Sequence, residues 1–178
     1  ESYLVDFFRV EGDRTHRYDW VYHNLGQMST DLPLRAHKGS LGVRNGYNHI
    51  GGVSKAHADG SWSVTCTVDE EKPDETIVVT MPGIEPTEVI FGSGPGVFRS
   101  RPDEKMPLML ARRFCRETLY TAVIEPRRGR PGVRDVSLIQ GLREGGYVDP
   151  SRAAGLVVQT EAGLDHFLIT YECGSYSF

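Results

Sequence analysis

The sequence predicts an all-β fold, an antiparallel β-sandwich with long loops, and three observations point to it. Apolar residues recur with a period of two rather than 3.6, the spacing that lines one face of a strand. The apolar runs are short, and Gly and Pro punctuate the gaps between them. No amphipathic helix of useful length is present; the best candidate, Val136 to Leu142, is too short to matter. The 178 residues, 39% hydrophobic and 25% charged, suit one domain with its own core.

The elements follow in order. Tyr3 to Val10 is mostly apolar, with Asp6 and Arg9 as polar breaks. Gly12-Asp13 then offers a tight reversal, and Thr15 to Leu25 alternates cleanly, so the two runs are expected to form a hairpin. In the second run His16, Tyr18, Trp20 and Tyr22 share one face, while Arg17, Asp19, Val21 and His23 share the other. From Gly26 to Asn48 the alternation vanishes, leaving a long connection of the kind that is either functional or simply variable. Strands are expected at Ser61 to Val68 (after an Asp59-Gly60 turn), Thr76 to Met81, Thr87 to Phe91, Leu108 to Phe114, Thr118 to Ile124 and Val133 to Gln140. Gly155 to Thr160 and Leu164 to Tyr171 close the chain as a hairpin across Ala162-Gly163.

Composition excludes several functions. No stretch approaches the roughly 18 apolar residues of a membrane helix, so no membrane partner is expected. The net charge of −4 disfavours a role in coating nucleic acid. The chain starts at Glu1 without a visible signal peptide, which suggests a processed product or an excised piece. Cys66, Cys115 and Cys173 form no CxxC pair and read as buried, reduced thiols.

The basic residues are more informative. Lysine occurs only at Lys38, Lys55, Lys72 and Lys105; the other sixteen of the twenty are arginine. Seven arginines fall between Arg112 and Arg134, Arg112-Arg113 among them. Arginine forks suit carboxylates and sulfates, although surface pairing with Glu117, Glu125 and Asp135 would use the same residues. Gly92-Ser-Gly-Pro-Gly96 resembles a phosphate loop but lacks the Lys-Ser/Thr, and Pro95 removes a donor, so it reads as a mobile turn. There is no GxSxG and no HExxH. His16 and His23 lie seven apart on a strand and face opposite sides, so they cannot share a metal. The aromatic stripe from His16 to Tyr22 suits either stacking on sugar rings or a sandwich core.

Tyr3-Leu-Val-Asp-Phe-Phe-Arg-Val-Glu-Gly12, followed by His16-Arg-Tyr-Asp-Trp-Val-Tyr-His23, resembles a segment of the heparinase II/III-like polysaccharide lyases, a group that includes alginate lyases. The resemblance continues through Trp62-Ser-Val-Thr65, Thr87-Glu-Val-Ile-Phe-Gly-Ser-Gly-Pro95, Arg112-Arg113 and Val123-Ile-Glu-Pro126, in the same order across most of the chain. Gly12-Asp13 stands where the family usually has Gly-Gly. The resemblance implies that residues 1–178 are the C-terminal β-sandwich part of a larger enzyme. An α/α-toroid and a preceding β region of the same protein would be its partners. It implies β-elimination on a uronic-acid-containing polysaccharide, with a base taking the C5 proton, a tyrosine-type acid and neutralisation of the carboxylate.

The family's catalytic tyrosine, its Asn/His group and its metal-binding segment have no counterpart here, so no catalytic residue is transferred. A divalent metal such as zinc is expected only in the full-length protein. His16, Tyr18, His23, Arg112 and Arg113 are the candidate substrate-binding residues, and the chain alone is expected to be catalytically silent. The resemblance also implies a periplasmic or secreted location. The alternative is a non-catalytic carbohydrate-binding or structural β-sandwich module, which would have a self-sufficient core and no orphaned apolar face.

Overall fold

The computed structural model describes residues 2–83, 85–96 and 104–178. It is nearly all-β. The strands are β1 (Leu4–His23), β2 (Gln27–Ser29), β3 (Arg35–Ala36), β4 (Gly51–Ala58), β5 (Trp62–Thr67), β6 (Glu75–Met81) and β7 (Thr87–Pro95). They continue with β8 (Lys105–Arg128), β9 (Val133–Gln140), β10 (Leu142–Arg143), β11 (Gly146–Tyr147), β12 (Ala153–Thr160) and β13 (Leu164–Thr170). One short 3-10 turn, Tyr47–His49, precedes β4.

Two long strands organise the main sheet. β1 and β8 pair antiparallel over nearly their whole length, from Leu4 opposite Ile124 to His23 opposite Leu108. On its other side β8 pairs first with β7 and then with β6. The order β2-β5-β6-β8-β7-β4-β3 is therefore one sheet curled on itself, and β1 and β8 turn the corner between its two leaves. The core confirms this. Met109 and Ala111 from the first half of β8 pack in the same buried cluster as Tyr120 and Ala122 from the second half. Trp20, Trp62, Val64, Cys66, Val79 and Phe91 fill the space between the leaves.

The corner corrects the expected hairpin. Residues 3–10 and 15–25 do not pair with each other; both pair with β8. Gly12, Asp13, Arg14 and Thr15 instead bulge out opposite Arg116, where the register shifts. A two-residue Gly-Asp reversal and a strand bulge draw on the same residue types, so the local sequence did not separate them. For the same reason the two runs 108–114 and 118–124 are one strand. The polar break from Arg112 to Glu117 marks a bend rather than a loop.

Other boundaries differ too. β4 was not anticipated, because its apolar face is built from small residues such as Ala56 and Ala58. Gly92 to Pro95 is not a turn but the end of β7. Glycine fits there because a Cβ on Gly92 would lie 2.6 Å from Ile50 and 3.2 Å from the Gly51 carbonyl. The connection from Gly26 to Asn48 carries β2 and β3 along the leaf edges. Its end folds over one leaf, where Leu41, Tyr47 and Ile50 cover Val53, Ile90, Leu108 and Leu110. The closing hairpin is present as expected, β12 with β13.

A second sheet, β13-β12-β9, lies against the back of the other leaf. Val133, Val136, Leu156, Val158 and Phe167 meet Val123, Tyr3, Val5 and Phe7 there. Glu125 pins the approach to it. Its buried carboxylate accepts the Gly132 and Val133 amides at 2.6 and 2.9 Å and a third hydrogen bond from Arg127.

Candidate functional site

The five sequence-derived site residues fall at three places along the β1–β8 ladder. His16 and Tyr18 sit at the corner, their rings 5.9 Å apart and tilted. The His16 Nε2 donates to Asp13 Oδ1 at 3.0 Å, and that bond is the main cause holding the Asp13 carboxyl below its usual range. Tyr18 packs against the core and its hydroxyl donates to the Arg116 carbonyl. His23 is exposed at the far end of β1, roughly 20 Å along an extended chain from His16.

Arg112 and Arg113 are both buried, 5% and 4% exposed, and point to opposite faces. Arg113 points between the leaves. Its guanidinium donates to Thr87 Oγ1, Thr118 Oγ1 and the Leu119 carbonyl at 2.9, 2.7 and 3.0 Å, and lies 4.6 Å from the Tyr120 ring centre. Burial lowers its pKa, with Glu85 3.9 Å away as partial compensation. Arg112 points outward under the covering loop. It grips Asp19 with two bonds, 2.7 and 2.8 Å. Tyr47 donates to the same carboxylate, and its ring carries Arg17 at 4.7 Å. Burial pushes the Asp19 carboxyl up. The bonds from Arg112 and Tyr47 and the charges of Arg112 and Arg17 outweigh it, and the group is held below its usual range.

Arg112 is also the inner end of a row of charges. Asp19, Arg112, Glu88 and His57 stand opposite one another across β1, β8, β7 and β4, so their side chains share the outer face. Glu88 lies 3.7 Å from Arg112 and 3.1 Å from Lys55. One step along, Arg35 of β3 faces Lys55 of β4, and the His37 amide donates to the Val53 carbonyl. The row opens into a groove of about 480 Å³ whose lining includes Pro33, Arg35, His37, Lys55 and His57. Arg35, His37 and His57 are exposed, and none has a side-chain hydrogen bond or ion pair among the described residues.

The electrostatics of the groove are lopsided. Arg35, Lys55 and Arg112 outnumber Glu88 and Asp19 by one. Arg35 can hold an anion through charge-assisted hydrogen bonds without first breaking internal ones, while Lys55 would share its ammonium between Glu88 and the ligand. Sequence reasoning missed it. The signal was Arg35-Ala-His37 and Lys55-Ala-His57, each placing two basic side chains two apart on one strand face. Reading it required recognising β3 and β4.

Among the described residues no three His, Cys, Asp or Glu side chains come together as a metal site. Among the described residues no helix is long and apolar enough to cross a membrane. No protein-family model matches the chain, and no curated protein matches it.

Proposed function

We propose that this chain is the C-terminal β-sheet portion of a polysaccharide lyase that cleaves a uronic-acid-containing polymer by β-elimination. Its own share of the work is to hold the anionic chain in the groove of Arg35, His37, Lys55 and His57. The observation that carries the reading is the set of basic side chains around that groove, of which Arg35, His37 and His57 have no side-chain partner among the described residues while Lys55 is held by Glu88. A polyuronate presents a carboxylate on every sugar, and fixed cations on a rigid sheet neutralise such groups at low ordering cost. The base and acid of the elimination belong to the rest of the protein, as would any divalent metal such as zinc. No cluster among the described residues fits one. Secretion or a periplasmic location goes with this reading, since the polymer is extracellular.

An apolar surface also supports it. Leu164 and Leu168 are each 58% exposed on the outer face of the second sheet, where a further part of a larger protein would pack. A non-catalytic carbohydrate-binding module is the second reading, favoured by the three well-buried clusters within the chain. The two separate in a lyase assay on alginate, heparan sulfate and hyaluronan that follows the ultraviolet absorbance of the unsaturated uronate product. The full-length protein is run beside this chain. Activity in the full-length protein that falls with Arg35→Ala/Lys55→Ala supports the proposal. Polymer binding by both chains without product selects the binding module.

A further inference from the structure

A second pocket, of about 450 Å³, lies where the end of the second sheet meets the corner of the main one. That volume is in the range of small-ligand sites. Its outer wall is Tyr147, 77% exposed. The ring is held on a two-residue hairpin between β10 and β11, where Glu144 and Gly145 both take positive φ (51° and 80°). Tyr147 is therefore presented on a stiff turn rather than a loose loop. The opposite wall includes Tyr176, whose ring lies 5.8 Å from the Arg143 guanidinium. The Tyr176 hydroxyl is buried and has no hydrogen-bond partner, a state that buried polar groups rarely keep.

Charge decides the ligand. Arg143 and Arg152 are outnumbered by Glu117, Glu144, Asp149 and Glu172, so a polyanion is repelled. The arginines in turn oppose a cation, and Arg152 already stands 3.7 Å from Glu172. What remains matches a hydroxyl-rich neutral ring. Planar donors and acceptors are interleaved around the pocket, and an exposed aromatic face is available for the C–H side of a sugar. We infer that this pocket binds a neutral hexose unit, with the exposed Tyr147 ring as the stacking platform and the lining charged side chains bonding its hydroxyls. The site is independent of the basic groove and of the lyase reading.

The test is a set of NMR titrations of cellobiose, glucuronate and glucosamine into the whole chain, each to about 20 mM, a range suited to weak sites. Cellobiose is expected to shift the amides of residues 143–152. Tyr147→Ala is expected to weaken it about fivefold, and Tyr176→Phe and Arg35→Ala to leave it unchanged. Because Tyr147 is largely exposed, its replacement leaves the fold intact, which the rest of the spectrum verifies. No cellobiose shifts, equal affinity in Tyr147→Ala, or tighter binding of glucuronate or glucosamine would each overturn the inference.

Discussion

Arg112 and Arg35 lie on the same outer face of one sheet, yet they are in opposite situations. Arg112 is buried and locked to Asp19 with Tyr47 over it, whereas Arg35 is exposed and has no side-chain partner among the described residues. Arg113, one residue on, is buried on the inner face and ties three strand segments together at the corner. Residue type alone therefore does not mark a binding cation. A guanidinium whose donors are already used inside the protein is part of the frame, and one with free donors beside a groove is available to a ligand.

The sharpest way to break this contrast is to attack the frame. Asp19→Ala would leave the Arg112 charge buried with only Glu88 nearby. We expect a loss of about 3 kcal/mol in urea unfolding, as for other split buried pairs. Arg113→Met keeps much of the bulk but removes the donors to Thr87, Thr118 and the Leu119 carbonyl, leaving the two hydroxyls only their bonds to Glu85, and about 2 kcal/mol should go. A loss below about 0.5 kcal/mol in either variant would mean that the corner does not depend on these cations.

The groove should behave the other way round. Arg35→Ala/Lys55→Ala is expected to lower affinity for a polyuronate about tenfold, or about 1.4 kcal/mol. The unfolding midpoint should stay within ordinary surface-mutation scatter. Raising salt should weaken wild-type binding more than the variant's.

Acidity sharpens the comparison further, through the frame. The Asp19 carboxyl is held below its unfolded value, near 3.9, so its pair with Arg112 stabilises the fold fully above that pH. That contribution is lost as pH falls through the lower folded value. Acid unfolding of Asp19→Asn should lack this component. The smallest effect is expected at the corner surface, where His16→Ala should leave both binding and the unfolding midpoint unmoved, since its bond to Asp13 is exposed.

Period-two patterning was enough to read the all-β class, and the closing hairpin from Gly155 onward was legible because two short apolar runs flank the Ala162-Gly163 turn. It failed at Gly12 to Thr15, where a bulge and a hairpin call on the same small and polar residues. It failed at β4, where Ala56 and Ala58 stand in for larger apolar side chains. The Arg112-Arg113 pair drew attention as a dense cationic run, but density says nothing about partners. Asp19 and Thr87 are 93 and 26 residues away from the arginines they hold. The groove depends on strand neighbours that only the register brings together, Arg35 with Lys55 and His57 with Glu88.

The most direct measurement is an equilibrium titration of alginate oligomers against the wild-type chain and Arg35→Ala/Lys55→Ala, at low and moderate salt, with unfolding midpoints recorded for both. The proposal predicts salt-sensitive binding to the wild type and about tenfold weaker binding to the variant at unchanged stability. Equal affinities, or no binding to the wild type at low salt, would contradict the assignment of this groove to an anionic polysaccharide.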